Sequence, residues 1–157
     1  MEFKLKLYQT DEDCSAENNV EKTCTISVNS SYPKIRIQVP EAHGGLCDEN
    51  KVNLTYTPED MFLSAISGCF FTTFNVVAKN SNLAYIRIEI SSKGNMVEVD
   101  NVKMVTEISQ DIILTLAKGE EKHERKAKKV MEIAEKRCAM ANSVKSKVTN
   151  TYTVKYI

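Results

Sequence analysis

The sequence predicts a fold that contains both sheets and helices, in the order strands, helix, strands, helix. Apolar and polar residues alternate over residues 2–8 and in several later runs, which is typical of strands with one solvent-exposed face. A long apolar stretch over residues 56–80 and an apolar stripe of helical period over residues 119–138 predict two helices. The length of 157 residues fits a single domain, residues 1–157.

The charge balance argues against a polyanionic partner. Charged residues make up 27% of the chain, with 21 basic and 21 acidic side chains. Binding to nucleic acid or to a membrane surface normally needs an excess of basic residues, so neither partner is expected. The N-terminal MEFKLKLY begins directly with a strand pattern and shows no apolar run of secretory type, so we expect a cytoplasmic protein.

The first half of the chain predicts a small antiparallel meander. Strands are expected at residues 2–8, Thr23 to Val28 and Lys34 to Val39, and the last two should pair as a hairpin. A long polar loop follows, containing His43 and Cys47. These could form half of a metal site, but no second pair lies nearby in the sequence, so we expect no metal.

The stretch YTPEDMFLSAISGCFFTTFNVVAKN, residues 56–80, predicts the central helix. Thr57 is a candidate N-cap, and Pro58 suits the first helical position. Apolar residues fall on almost every face, so the helix should be covered nearly all round in a core or a dimer interface. Its length and its polar interruptions favour a soluble helix over a membrane span. Cys69 near its middle is either an inert buried thiol or a reactive one, and Gly68 beside it would permit close approach of another group.

The second half predicts another antiparallel sheet and the second helix. Four strands are expected, with a turn at SKGN, residues 92–95: Ala84 to Ser91, Met96 to Asp100, Val102 to Ser109 and Asp111 to Leu116. The second helix carries a buried stripe, while its lysines form a solvated face; the stripe is Ala127, Val130, Met131, Ala134 and Cys138. Thr149 to Ile157 closes the chain as a strand.

The five cysteines do not form a structural framework. Their count is odd, their spacing is irregular and no two form a CxxC pair; they are Cys14, Cys24, Cys47, Cys69 and Cys138. A disulfide in this chain is therefore expected to be catalytic rather than structural.

Three segments together resemble one family. They are VPEAHGG before the long loop, TPEDMFLSAISGCF in the central helix and AEKRCAMANSVK at the end of the second helix. The paired signature, Pro-Glu ten residues before one cysteine and Cys-x-x-x-Asn-Ser around another, is similar to that of the OsmC/Ohr proteins, which are osmotically inducible and organic-hydroperoxide-resistance thiol peroxidases. The similarity extends from about residue 35 over most of the chain.

The resemblance implies an α+β fold in which two antiparallel sheets wrap the central helices of an intertwined homodimer. It implies that Cys69 is the peroxidatic thiol, Cys138 the resolving thiol and Glu59 an acid of the active-site network. Cys69 would attack an organic hydroperoxide and form a sulfenic acid, and Cys138 would capture it as a disulfide. An external dithiol, lipoyl-linked in the family, would reduce that disulfide, and no bound cofactor is expected.

The cation that assists the thiol in the peroxidase branches has no evident counterpart. The family arginine comes from the N-terminal strands, but no arginine here precedes residue 35; the four arginines are Arg36, Arg87, Arg125 and Arg137. Lys22 lies nearest to the expected position. The proline that often follows the second cysteine is Ala139 here. A non-enzymatic protein of the same fold, binding a small apolar ligand or sensing redox state at the dimer interface, is the alternative.

The position of Glu59 requires an explanation of its own. Ten residues of straight helix separate it from Cys69 by about 15 Å, which is beyond hydrogen-bond reach. Either the helix breaks near Asp60, or the Glu59 that serves Cys69 comes from the partner subunit; the intertwined dimer favours the second. We expect Lys22 to lie between the two groups, so that Lys22→Ala raises the Cys69 pKa toward its ordinary value.

Overall fold

The computed structural model describes residues 6–8, 23–27, 35–38 and 55–157. The chain divides into two compact units, residues 1–61 and 62–157. Seven strands and two α-helices are formed by the described residues: β1 Lys6–Tyr8, β2 Thr23–Ser27, β3 Ile35–Gln38, β4 Thr55–Tyr56, α1 Pro58–Asn80, β5 Arg87–Val99, β6 Val102–Leu116, α2 Glu124–Arg137 and β7 Lys147–Tyr156. Short 3₁₀ turns, Glu121–His123 and Ala141–Ser143, flank α2.

The sheet of the first unit has the strand order β1-β2-β3-β4. Strands β2 and β3 pair antiparallel, with Thr25 opposite Arg36, so the predicted hairpin is confirmed. Strand β4 pairs parallel to β3, which makes the sheet mixed rather than purely antiparallel. A parallel neighbour needs a long connection, and residues 39–54 provide one.

The sheet of the second unit has the order β5-β6-β7. Strands β5 and β6 form one long antiparallel hairpin. Asp100 and Asn101 connect them with φ angles of 50° and 62°, the left-handed conformation that a two-residue hairpin turn of type I′ requires. Strand β7 pairs parallel to β6 because α2 lies between them in the chain and returns it to the same end of the sheet.

The turn predicted at residues 92–95 is wrong. These residues lie inside β5, where the pairing register shifts between Asn95 and Met96. Gly94 is explained by close packing: a Cβ there would lie 3.3 Å from Leu63 Cδ2 and 3.4 Å from Val105 Cγ1. The glycine therefore marks the approach of α1 to the sheet. The predicted interruption at residue 110 is also wrong, since Gln110 is buried within the continuous strand β6.

Helix α1 begins as predicted. The Asp60 N–H donates to Thr57 Oγ1 at 3.1 Å, and the Thr57 N–H donates to Asp60 Oδ2 at 2.9 Å. This reciprocal pair is a capping box with aspartate as its acid, and it satisfies backbone donors that the first turn leaves without helical partners.

The core of the second unit forms where α1 and α2 pack on the sheet. The buried face of α1 comprises Ile66, Phe70, Phe74, Val77 and Ala78. It packs with β6 and with the buried stripe of α2, which is Ala127, Val130, Met131, Ala134 and Cys138, as predicted. Strand β7 adds Tyr152, whose ring stacks on Phe70 with centroids 6.5 Å apart.

Part of the outer face of α1 is exposed within the part of the chain that the structure describes. Phe71 is 44% exposed and Val76 is 59% exposed, so the predicted coverage of this face by a dimer interface stays a prediction. The argument that the helix is too short for a bilayer is wrong: its 23 residues span about 34 Å, and its mean hydropathy reaches 1.6. A core helix of a soluble protein can have this length and composition, and the packed inner face of α1 is consistent with a core helix.

Removing the cap should destabilise the protein without altering its fold. Thr57→Ala removes the oxygen that accepts from Asp60, so we expect the free energy of unfolding to fall by about 1 kcal/mol. Denaturant unfolding followed by circular dichroism measures the change. Thr57→Ser keeps the hydroxyl and should restore most of the loss; equal loss in both variants would contradict the capping role.

Candidate functional site

The structure brings Cys69 and Cys138 together. Cys69 lies near the middle of α1 and is partly buried, while Cys138 follows the last residue of α2 and is only 1% exposed. The Met140 N–H points at Cys69 Sγ at 3.5 Å, and the Cys138 thiol points at the Ile66 carbonyl at 3.9 Å. Both thiols are free. The sequence placed them on separate helices, and their proximity is decided by the packing of those helices.

The chain changes direction at Cys138. Its N–H still bonds to the Glu135 carbonyl at 3.2 Å, but its φ and ψ of −67° and 107° are extended. The next amides, those of Ala139 and Met140, therefore leave the helix and turn toward Cys69. The carbonyls at a helix C-terminus normally repel an anion, but here backbone N–H groups face the Cys69 sulfur.

Cys69 has the environment of an activated thiol. Burial raises its pKa, but hydrogen bonds from the Met140 amide, the Cys138 thiol, the Ala139 amide and the Thr73 hydroxyl outweigh burial, so the pKa lies below its ordinary value. Each of these donors favours the anionic sulfur. The family resemblance implied a cation beside the thiol for this purpose; in the described residues, hydrogen-bond donors stabilise the anion instead.

Cys138 has the opposite environment. Burial, followed by the neighbouring Cys69, raises its pKa above the ordinary value, and a hydrogen bond from the Ala141 amide offsets this only in part. A buried thiol with a raised pKa stays protonated and reacts slowly with external reagents. The two cysteines are therefore chemically distinct, and Cys69 is the more accessible nucleophile.

Side chains after Cys138 hold the turn in place. The Asn142 Nδ2 group donates to the Cys138 carbonyl at 2.8 Å and to the Lys136 carbonyl at 3.2 Å. The Ser143 hydroxyl donates to the Ala139 carbonyl at 2.8 Å. Sequence reasoning quoted this Asn-Ser pair as part of a signature without giving it a role. It also missed Thr73, although Thr73 follows Cys69 by one helical turn and the spacing alone would have identified it.

A polar cluster fixes α1 on the sheet near Cys69. The Gln110 Nε2 group on β6 donates to Ser67 Oγ at 2.9 Å and to Ser92 Oγ at 3.0 Å. Ser67 also donates to the Leu63 carbonyl at 2.8 Å. Because Gln110 is 1% exposed and its donor is paired, the cluster fixes α1 against β5 and β6.

Glu59 stands in the first turn of α1. Its Oε2 atom is buried and has no hydrogen-bond partner among the described residues. Helix α1 runs without interruption from Pro58 to Asn80, so the proposed break near Asp60 is wrong. The remaining explanation, a Glu59 contributed by a partner subunit, stays a prediction.

Several predicted residues lie outside the part of the chain that the structure describes. These are Lys22, His43, Cys14 and Cys47. The predicted position of Lys22 between Glu59 and Cys69 therefore stays a prediction. Gly68 is exposed, and a Cβ placed there would meet none of the described atoms within 4 Å.

Comparison with known proteins identifies the family. A family model described as OsmC-like protein matches residues 49–153, two thirds of the chain, including both Cys69 and Cys138. The chain belongs to the OsmC-like protein family. No curated protein matches this OsmC-like chain in sequence.

Solved structures share the fold at low identity. An OsmC-like protein of unknown function from Vibrio cholerae is 18% identical, covers 97% of this chain and 99% of its own, and has a TM-score of 0.77. An OsmC-like protein from Mycoplasma pneumoniae is 14% identical, with coverage of 99% and 98% and a TM-score of 0.74. The organic hydroperoxide resistance protein OhrB of Bacillus subtilis is 16% identical, with coverage of 98% of both chains and a TM-score of 0.60. The predicted α+β, OsmC/Ohr-like fold is thereby confirmed.

The two thiols should titrate apart. Because the Cys69 pKa is lowered and the Cys138 pKa is raised, iodoacetamide should label Cys69 at a lower pH than a free cysteine and Cys138 at a higher pH. Mass spectrometry of the labelled peptides over a pH series measures both profiles. In Cys69→Ser, the Cys138 profile should stay above the ordinary value because burial is its main cause; coincident profiles in the native protein would contradict this assignment.

Proposed function

We propose that this OsmC-like protein is a thiol-dependent peroxidase that reduces organic hydroperoxides in oxidative-stress defence. The observation that supports this proposal most directly is the pairing of a partly exposed thiol of lowered pKa, Cys69, with a buried thiol of raised pKa, Cys138. A lowered pKa and partial exposure favour reaction of the first thiol with peroxide, and a second thiol beside it can capture the oxidised sulfur as a disulfide. OhrB of Bacillus subtilis and a structural relative from Elizabethkingia anophelis are named organic hydroperoxide resistance proteins, which is consistent with the proposal.

The first step is attack of the Cys69 thiolate on the terminal oxygen of the hydroperoxide. A sulfur–oxygen bond forms while the oxygen–oxygen bond breaks, and the alkoxide leaves as the alcohol after taking a proton. The products are a Cys69 sulfenic acid and the alcohol, so the sulfur is oxidised by two electrons and the peroxide is reduced by two. Donors that stabilise the thiolate, above all the Met140 amide, raise the fraction of Cys69 that can react.

The second step joins the two cysteines. The Cys138 sulfur attacks the Cys69 sulfenic sulfur, the hydroxyl leaves with the Cys138 proton as water, and a disulfide results. Because Cys138 is buried beside Cys69, the sulfenic acid forms next to the thiol that captures it. An external dithiol, lipoyl-linked by analogy with the family, then reduces the disulfide through a mixed-disulfide intermediate. The cycle requires no bound cofactor and takes place in the cytoplasm.

The working form is proposed to be a homodimer. Phe71 and Val76 leave an apolar outer face on α1, and covering such a face is a strong reason for two copies to associate. In that dimer, Glu59 of one chain would complete the network around Cys69 of the other, with Lys22 between the two groups. The Oε2 atom of Glu59 is buried and has no hydrogen-bond partner among the described residues, which supports a charged partner for this carboxylate.

Sedimentation tests the dimer. At micromolar concentration we expect a single folded species with the mass of two chains. Val76→Glu places a charge on the apolar outer face of α1 and should shift the equilibrium toward monomer, while a charge on the solvated face of α2, Lys136→Glu, should not. A folded native monomer under these conditions would contradict the proposal.

Oxidation by cumene hydroperoxide tests the reaction. One equivalent should produce a Cys69–Cys138 disulfide, seen by mass after alkylation, and added dithiol should sustain turnover. Cys69→Ser should abolish turnover. Cys138→Ser should permit one oxidation and then over-oxidation of Cys69, because no thiol remains to capture the sulfenic acid.

Cys24→Ser on strand β2 is the matched control and should behave like the native protein. A disulfide between other cysteines would contradict the assigned roles. Absence of any peroxide-dependent oxidation would favour the alternative, a non-enzymatic protein that binds a small apolar ligand or senses redox state.

A further inference from the structure

The Asn142 side chain acts at the end of helix α2, where carbonyl groups lack helical partners. Its Nδ2 group donates to the carbonyls of Lys136 and Cys138 at 3.2 and 2.8 Å. The Asn142 backbone N–H also donates to the Cys138 carbonyl at 3.1 Å. Asn142 thus supplies three hydrogen bonds to two carbonyls at the helix end, those of Lys136 and Cys138, and ties the following turn back onto the helix.

This tether controls where the next amides point. Cys138 is extended, so the peptides after it are not held by the helical ladder. The Met140 N–H nevertheless reaches Cys69 Sγ at 3.5 Å. Between these two points, the turn is held by the bonds that Asn142 makes to the helix end and by the Ser143 N–H, which donates to the Met140 carbonyl at 3.0 Å. The Ser143 hydroxyl, which donates to the Ala139 carbonyl at 2.8 Å, supports the same turn from its far side.

The same bonds change the electrostatics near Cys69. A helix C-terminus carries partial negative charge on its free carbonyl oxygens, which would oppose a thiolate nearby. The two Asn142 donors on the Cys138 carbonyl offset that charge at the residue adjacent to the amides that face the sulfur. Asn142 therefore offsets the negative charge of the Cys138 carbonyl and orients the Met140 amide toward the Cys69 sulfur.

We propose that Asn142 is a positioning residue for the peroxidatic thiol: it braces the turn after α2 so that the Met140 amide faces the Cys69 sulfur. The inference rests on the proposed role of Cys69 as the reacting thiol. It assigns a function to the Asn-Ser pair of the Cys-x-x-x-Asn-Ser signature, through the backbone rather than by contact with substrate. The groups that act on the Cys69 sulfur in the described part of the chain are the Thr73 hydroxyl, the Cys138 thiol and the amides of Ala139 and Met140.

The test measures the acidity of Cys69 without using peroxide. Asn142→Ala should shift the pH profile of Cys69 alkylation to higher pH, because the two side-chain hydrogen bonds to the helix end are lost and the Met140 amide is no longer held against the sulfur. The alkylation rate well below the thiol pKa should fall by roughly tenfold, the effect of losing one hydrogen bond to a charged group. Asn142→Asp has nearly the same shape but lacks the side-chain donors, so it should shift the profile in the same direction.

The matched control separates positioning from loss of stability. The Tyr156 hydroxyl donates to Glu124 Oε2 at 3.1 Å at the opposite end of α2. Tyr156→Phe removes one partly buried hydrogen bond and should leave the Cys69 profile unchanged. An unshifted profile in Asn142→Ala, or an equal shift in Tyr156→Phe, would overturn the inference.

Two further measurements complete the test. In the unsubstituted protein, the chemical shift of the Met140 amide proton should change with pH at the pKa of Cys69. A Met140 chemical shift that does not follow the Cys69 titration would overturn the inference even if the variants failed to fold. Single-turnover oxidation by cumene hydroperoxide then tests the proposed function separately. A shifted profile with no oxidation in the native protein would refute the peroxidase and leave the positioning role of Asn142 established.

Discussion

Burial of the inner face of α1 is the constraint on which the rest of the second unit depends. Phe70 and Phe74 are 1% and 0% exposed and pack with β6 and α2. Successive residues in a helix are rotated by about 100°, so burying Phe70 directs Cys69 to the edge of the packed face rather than into the core or into solvent. The C-terminus of α2 reaches the same edge because the α2 stripe packs in that core. The thiol pair is thus a consequence of helix packing.

The polar contacts near this core refine the placement of α1. The Gln110 cluster joins α1 to two strands at Ser67, two residues before Cys69, and Gly94 permits α1 to approach the sheet at Leu63. Apolar packing alone tolerates small sliding of one element on another, whereas directional hydrogen bonds do not. A thiol that must receive hydrogen bonds from a neighbouring turn requires that precision.

The contrast between Cys69 and Cys138 arises from their surroundings, since the two side chains are chemically identical. Cys69 receives hydrogen bonds from two amides, the Cys138 thiol and a hydroxyl that together outweigh its burial, while burial dominates at Cys138. Backbone amides provide this stabilisation without a charge of their own. The absence of an arginine before residue 35 therefore does not preclude activation of Cys69, which has a hydrogen-bonding environment independent of Lys22.

The sequence by itself determined the local features. The Thr57 cap, the β2–β3 hairpin and the α2 stripe were predicted correctly because each depends on residues close together in the chain. The signature segments also identified the family. Long-range packing decided the rest. In the sequence Gly94 is typical of a turn, and only the structure shows that it lies in a strand packed closely against Leu63. The parallel pairing of β7 with β6 likewise follows from the path of α2. The hydrogen bonds that lower the Cys69 pKa come from backbone amides, which every residue possesses, so only the tertiary structure could show which of them face the sulfur.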